Sequence, residues 1–130
     1  MSRKIGMISL GCPKNQVDAE LMLKKLVDAG YILVQEADKA DIVIVNTCGF
    51  IEPAKQESIE NILDAAELKK WGKCKHVIAT GCLVERYREE VFTEMPELDA
   101  LVGVGSLDKI AEACAAVMRG ERYSSFEDKE

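Results

Sequence analysis

Short apolar runs alternate along the chain with longer stretches in which apolar residues recur every three or four positions. The runs predict five β-strands: KIGMISL (4–10), YILVQ (31–35), DIVIVN (41–46), KHVIAT (75–80) and LDALVG (98–103). The other stretches predict four helices, over about 15–29, from Pro53 onward, over 84–95 and over 106–119. Strands and helices that alternate in this way predict an α/β protein.

The third run, DIVIVN, contains four consecutive β-branched residues with no polar alternation. Such a strand is typical of a parallel sheet with both faces covered. We therefore expect a three-layer α/β fold, with a mostly parallel five-stranded sheet, helices on both faces and the flavodoxin-like strand order 2-1-3-4-5. We expect the first helix to begin at an Asn15 cap and to end at Gly30. The residues expected on the buried face of the second helix are Ile59, Ile62, Leu63 and Ala66.

Three of the five cysteines follow predicted strands: Cys12 the first, Cys48 the third and Cys82 the fourth. In the order 2-1-3-4-5 these strands are immediate neighbours, about 5 Å apart. The three thiols should therefore converge at the edge of the sheet where the strands end. Cys74 precedes the fourth strand and belongs to the opposite edge. Cys114 lies on the buried stripe of the last helix, where a free cysteine behaves as a small apolar residue.

The composition limits where such thiols can work. The chain has 130 residues, 48% hydrophobic and 31% charged, which is typical of one soluble folded domain. Its apolar runs are strand-sized and no signal peptide precedes the first strand, so we expect a cytoplasmic protein without a membrane span. In a reducing compartment, an odd number of thiols favours metal binding or catalysis over disulfides. The net charge of −6 argues against direct nucleic-acid binding and suits a basic protein partner.

Three thiolates at one edge would repel one another unless a cation lay among them, and soft metals or iron–sulfur clusters suit sulfur ligands. Three protein ligands are one fewer than a closed zinc site or an all-cysteine cluster uses, which leaves one iron open to another ligand. Glycines flank the three thiols and would allow the backbone to approach such a group closely: Gly11, Gly49 and Gly81.

Three other interpretations stay open. The first is a zinc-binding module built on the same cysteines; the only histidine, His76, starts the fourth strand, away from this edge. The second is a thiol enzyme with Cys12 as nucleophile, which leaves Cys48 and Cys82 unexplained. The third is a nucleotide or phosphate binder that uses the loop GVGSLDK (103–109). That loop lacks the third glycine of a dinucleotide motif and the Lys-Ser pair of a P-loop.

Three segments resemble the cysteine motifs of the N-terminal domain of radical-SAM methylthiotransferases, in the family's order and spacing. They are SLGCPKN (9–15), ADIVIVNTCGFI (40–51) and TGCL (80–83), and the resemblance extends to about Gly120. Pro13-Lys14 and Gly49 are similar to the RimO-type branch, because the tRNA-modifying branch usually has Gln-Met and Ser there. The resemblance thus implies an enzyme that methylthiolates the β-carbon of an aspartate in small-subunit ribosomal protein twelve, a basic protein. The tRNA branch is the alternative.

The resemblance also implies a cofactor and its ligands. The cysteines that would hold an auxiliary [4Fe–4S] cluster are Cys12, Cys48 and Cys82. The neighbours that would donate hydrogen bonds to cluster sulfurs are Asn15, Asn46 and Thr47. In the full enzyme this cluster would supply the sulfur. A second [4Fe–4S] cluster and S-adenosylmethionine, on a radical-SAM domain, would generate the radical that activates the substrate carbon.

Two parts of those enzymes are not found in this sequence. A radical-SAM domain has a Cys-x-x-x-Cys-x-x-Cys motif, but no two cysteines here lie three or four residues apart, and no segment matches the small C-terminal β-barrel. We expect residues 1–120 to form the cluster-binding domain and 121–130 to begin a linker to the missing domains. Such a domain would bind the cluster and dock on its own radical-SAM domain, but it would not catalyse the reaction alone.

Overall fold

The fold is an α/β sandwich built on one parallel sheet. The computed structural model describes residues 4–9, 13–34, 39–47, 52–71, 75–81, 84, 93, 98–103 and 109–125. The strands in this part of the chain are β1 Lys4–Ser9, β2 Ile32–Val34, β3 Ile42–Thr47, β4 His76–Gly81, β5 Ala100–Val102 and β6 Tyr123–Ser125. They form one sheet in the order β2-β1-β3-β4-β5-β6, and each neighbouring pair is parallel. The predicted parallel α/β fold is confirmed.

Helices cover both faces of this sheet. The helices of the described residues are α1 Pro13–Asp28, α2 Glu52–Trp71 and α3 Ile110–Met118. Helices α1 and α3 pack on one face, over Ile42 and Ile44 of β3, and α2 packs on the other, over Val43 and Val45. All six residues of β3 are buried, as the DIVIVN pattern predicts. No helix in the described part of the chain is long and apolar enough to cross a membrane.

Strand β6 corrects the prediction of five strands, because it adds a sixth at the edge beside β5. It lies in the segment 121–130, which the sequence pattern assigns to a linker. The Tyr123 N–H donates to the Asp99 carbonyl at 3.2 Å, and the Tyr123 hydroxyl donates to Glu112 Oε2 at 3.2 Å. The segment Tyr123–Ser125 has one aromatic residue followed by two serines, a pattern of apolar and polar residues that does not predict a strand. The strand forms because the segment pairs with β5. The domain boundary stays a prediction.

Helices α1 and α3 end in the same way, and each leads into an outer strand. After α1, Gly30 has a φ of +100°, its N–H bonds the carbonyl of Val27, and the Tyr31 N–H bonds that of Leu26. This is the Schellman arrangement, in which a left-handed glycine closes the helix, and the predicted end at Gly30 is confirmed. Gly120 has a φ of +81° and repeats the pattern after α3.

Two local predictions are wrong. Helix α1 begins at Pro13, so Asn15 lies in its first turn and is not the cap. A proline suits the first helical position because its fixed φ is already helical and its missing N–H has no partner there. In α2, Ile62 and Ala66 are buried but the Leu63 side chain is 45% exposed. Leu63 lies about 100° around the helix from Ile62, which turns it away from the sheet.

Other predicted segments are only partly described. The helix predicted over 84–95 falls almost entirely outside the described residues, as do residues 104–108 at the start of the predicted last helix. Its described part, α3, buries Ile110, Ala113, Cys114 and Val117 against the sheet, which confirms the buried position predicted for Cys114.

Candidate functional site

The carboxyl ends of the parallel strands lie along one side of the sheet, which we call the carboxyl edge. Strands β1, β3 and β4 are neighbours and end there at Ser9, Thr47 and Gly81. Ser9 pairs with Asn46, Asn46 pairs with Thr80, and Thr47 pairs with Gly81. The prediction that the strands preceding Cys12, Cys48 and Cys82 are adjacent is therefore confirmed.

The three cysteines themselves lie outside the described residues. In the sequence, Cys48 directly follows Thr47, Cys82 directly follows Gly81, and Cys12 directly precedes the first residue of α1. Among the residues that the structure describes, no three His, Cys, Asp or Glu side chains are grouped so that they could hold a metal ion. Metal binding by the three cysteines stays a prediction.

Buried polar side chains are concentrated at the carboxyl edge. In the described ranges they are Asn46, Thr47 and Thr80, with at most 1% of each residue exposed. The Thr47 hydroxyl donates to the Thr80 carbonyl oxygen at 2.6 Å, and the Thr80 hydroxyl donates to the Val102 carbonyl oxygen. Side-chain hydrogen bonds therefore join the ends of β3, β4 and β5, in addition to the backbone bonds of the sheet.

Gly81 ends β4 in a conformation that disfavours any side chain. Its φ is +101°, in the left-handed region. A Cβ atom at this position would collide with the Thr47 carbonyl oxygen, and it would lie 2.7 Å from the Thr47 backbone nitrogen and 2.9 Å from Asn46 Oδ1. Glycine at this position thus permits close approach of β4 to the backbone of β3, directly before Cys82.

Sequence reasoning singled out Asn46 and Thr47, whose predicted role as donors to cluster sulfurs stays a prediction, but missed Thr80. Both threonines lie near the carboxyl ends of strands that are mostly aliphatic and buried, and each stands one or two residues before a cysteine. A hydroxyl near the end of such a strand is the signal that would have found Thr80, because a buried hydroxyl needs a partner inside the protein. Asn15 is the third residue of α1, and its side chain lies outside the description, so its predicted role is untested.

His76 is the first residue of β4. It therefore lies on the side of the sheet where the strands begin, opposite the carboxyl edge, as predicted. Its Nδ1 lies 3.9 Å from Asp99 Oδ2. The same oxygen accepts hydrogen bonds from Lys69 Nζ and from the Val77 N–H, both at 2.9 Å. This edge therefore carries a half-buried ion pair that ties the end of α2 to β4 and β5. Cys74 lies outside the described residues.

Cys114 is fully buried on α3 among aliphatic side chains. Burial raises the pKa of its thiol from 9.0 to about 12. A thiol kept neutral in this way is a poor nucleophile and a poor metal ligand. Its position and its pKa both support the prediction that Cys114 has a packing role.

The Cys114 pKa predicts a loss of stability in alkali. Between about pH 9 and pH 12 the unfolded chain releases the thiol proton while the folded chain keeps it, so folding becomes less favourable as the pH rises through this window. Below pH 9 the thiol has no such effect. The free energy of unfolding should fall by up to about 1.4 kcal/mol per pH unit relative to Cys114→Ala. Urea unfolding of both proteins at pH 8 and pH 10.5 checks this, and parallel changes with pH would contradict it.

The fold and the carboxyl edge define the class of this protein. It is a three-layer α/β domain in which the carboxyl ends of β3 and β4 carry buried, hydrogen-bonded polar side chains, at the edge where open parallel sheets bind ligands. The model of the family described as Uncharacterized protein family UPF0004 matches residues 4–103, and the chain belongs to that family.

Similar curated proteins carry a more specific description. The chain is 56% identical over 111 residues to the ribosomal protein uS12 methylthiotransferase RimO of Solibacter usitatus, an alignment that covers 85% of the chain and 24% of that protein. Its identity to the RimO proteins of Lachnoclostridium phytofermentans and Clostridioides difficile is 52% over 125 residues and 55% over 117. These alignments cover 96% and 88% of the chain, but only 28% and 26% of the two relatives. The chain thus spans about a quarter of the length of these relatives.

Proposed function

We propose that this chain is the N-terminal, cluster-binding domain of a cytoplasmic radical-SAM methylthiotransferase of the RimO type. The full-length enzyme would methylthiolate an aspartate of ribosomal protein uS12, and the domain alone would not be catalytic. One observation carries the proposal: β1, β3 and β4 are adjacent, and the paired residues Thr47 and Gly81 each stand directly before a cysteine. Identities of about one half to proteins named RimO support the choice of reaction.

Covalent geometry supports a shared site. Paired residues on neighbouring strands are about 5 Å apart, and consecutive Cα atoms are about 3.8 Å apart. One residue beyond the Thr47–Gly81 pair, the two Cα atoms can be at most about 13 Å apart, and two cysteine side chains with a cluster between them can span that distance. β1, the strand that precedes Cys12 in the sequence, is the other neighbour of β3, which supports a place for Cys12 at the same edge.

The donor set and its surroundings fit an iron–sulfur cluster. Thiolates are the ligands that clusters use, and in the sequence Cys12 directly precedes α1, whose amino end would lower the cost of a thiolate through the helix dipole. Gly81 leaves room for β4 to come close to β3. When bound, the cluster would supply the sulfur that is transferred. The residues of this chain would bind it, orient it and leave one iron without a protein ligand.

The partners follow from the rest of the proposed enzyme. A radical-SAM domain of the same polypeptide would carry the second [4Fe–4S] cluster and S-adenosylmethionine. The chain has 23 acidic and 17 basic residues, a net charge of −6, which is compatible with a basic ribosomal protein and unfavourable for direct binding of nucleic acid. Methylthiolation assays of the full-length protein with uS12 and with tRNA test the choice of substrate. Modification of uS12 would support the RimO-type branch, and modification of tRNA would favour the tRNA-modifying branch.

Anaerobic reconstitution of the 130-residue chain with ferrous iron and sulfide tests the cofactor. We expect about four irons and four sulfides per chain and a broad absorption band at about 400 nm. A parallel sample receives zinc alone, because the same thiols could form a zinc site. Stoichiometric zinc that iron and sulfide do not displace would contradict the proposal and favour the zinc-binding module.

A further inference from the structure

We infer that Thr47 and Thr80 are positioning residues, whose hydroxyl hydrogen bonds fix the ends of β3 and β4 at the separation that lets Cys48 and Cys82 share one cluster. The inference rests on the proposed function for the identity of that cluster. It adds two residues that act through the backbone and need not touch the cofactor.

Thr80 is the residue at which both hydrogen bonds meet. Its carbonyl oxygen accepts from the Thr47 hydroxyl at 2.6 Å, and its own hydroxyl donates to the carbonyl of Val102. Both threonine residues have 0% exposure, so water does not compete for these hydrogens. The two bonds therefore form a continuous connection from β3 through β4 to β5.

The two bonds lie in the last rows of backbone pairing that the described residues form. In that part of the chain, Thr47 and Gly81 are the last registered pair between β3 and β4, and Thr80 and Val102 are the last between β4 and β5. Strand ends are held by fewer ladder bonds than strand centres and open more easily. The hydroxyl bonds supply extra connections between the strands in these last rows. In the sequence, these rows come one or two residues before Cys48 and Cys82.

The direction of the Thr47 hydrogen bond decides how this residue acts. A hydroxyl has one hydrogen to donate, and that of Thr47 goes to the Thr80 carbonyl. In this arrangement it is not available for a cluster sulfur. Thr47 therefore influences the site by holding β4 against β3.

The test compares four variants with a matched control in the 130-residue chain. Thr47→Val and Thr80→Val each remove a hydroxyl at nearly constant volume, while Thr47→Ser and Thr80→Ser keep it. Ile62→Val is the control, because it weakens buried packing on α2 without changing a hydrogen bond. Urea unfolding of the cluster-free proteins ranks their stability.

Two readouts follow the geometry of the site. The first is the rate at which a ferrous chelator removes iron from the reconstituted proteins, and we expect each valine variant to lose iron about five- to tenfold faster than the parent. The second uses cluster-free chains in which Cys12, Cys74 and Cys114 are alanine. Phenylarsine oxide, which binds two neighbouring thiols, should bind the valine variants about fivefold more weakly. The serine variants should stay within about twofold of the parent in both assays.

The outcomes separate this inference from the proposed function. If Ile62→Val, at equal stability, changes both readouts as much as Thr47→Val and Thr80→Val do, the two threonines are merely structural and the inference is wrong. The inference is also wrong if the serine variants do not keep the iron-loss rate and the arsenical affinity of the parent. If Thr80→Val does not fold, Thr47→Val, which leaves the bond from the Thr80 hydroxyl to Val102 in place, decides by the same criteria. If the parent takes up no cluster while the arsenical affinities follow the expected order, the positioning role stands and the proposed function is wrong.

Discussion

Replacing Cys48 with alanine should reduce the iron retained after anaerobic reconstitution from about four per chain to less than about one. The same loss is expected for Cys12→Ala and Cys82→Ala. With one thiolate removed, only two protein ligands remain for a cluster in which one iron already has no protein ligand. We therefore expect iron and sulfide to dissociate on desalting. Iron and sulfide assays with the absorption near about 400 nm measure the loss.

The loss should come from the site and not from the fold. Each cysteine stands beyond the strand that it follows, and the β3–β4 pairing from Ile42–His76 to Thr47–Gly81 does not use its side chain. Far-ultraviolet circular dichroism and the urea midpoint of the cluster-free variants should therefore match those of the parent. A variant that lost both iron and its cooperative unfolding would count against a role limited to the site.

Two of the chain's own cysteines provide matched controls. Cys114→Ala removes a thiol that is buried in the aliphatic core of α3 and should leave the iron content unchanged, with at most a small loss of stability. Cys74→Ala removes a thiol that precedes β4 in sequence, on the side of His76. Full iron content in Cys48→Ala, or an equal loss in Cys114→Ala, would overturn the assignment of the three ligands.

The parallel sheet and the adjacency of the three strands that precede Cys12, Cys48 and Cys82 could be predicted because the relevant signals are local. The four β-branched residues that begin β3 require cover on both faces, and that requirement predicts a parallel sheet. Once the strands are parallel and β1, β3 and β4 are neighbours, any residue just after them belongs to the same edge. The sequence positions of Cys12, Cys48 and Cys82 then predict a common site without knowledge of side-chain geometry.

Other features could not be predicted because they depend on contacts between distant segments. Tyr123–Ser125 becomes a strand only by pairing with Ala100–Val102, some 20 residues earlier. The partners of the Thr47 and Thr80 hydroxyls are carbonyls 33 and 22 residues away. Sequence reasoning expected Gly81 to leave space for a bound group, whereas the structure shows that the space is taken by the backbone of β3.

Gly81→Ala should destabilise the domain by at least about 3 kcal/mol, a large fraction of the total stability of a typical small domain. A methyl group here would collide with the carbonyl oxygen of Thr47 and lie 2.7 Å from its nitrogen. Thr47 belongs to β3, whose residues are all buried between two other strands and two helical layers, so the clash cannot be relieved by moving a flexible side chain. Either β4 separates from β3 or the φ of +101° changes, and both disrupt the last rows of the sheet.

Gly30→Ala is the control that isolates the collision from the cost of the backbone conformation. Gly30 has a φ of +100°, almost identical to that of Gly81, but a Cβ there would meet nothing within 4 Å. Its replacement should cost only about 1–2 kcal/mol, the strain of a left-handed alanine. Urea unfolding of both cluster-free variants measures the difference, which should be at least about 1 kcal/mol. Equal losses would mean that β3 and β4 can separate at little cost. The close approach would then not fix the positions from which Cys48 and Cys82 leave the sheet.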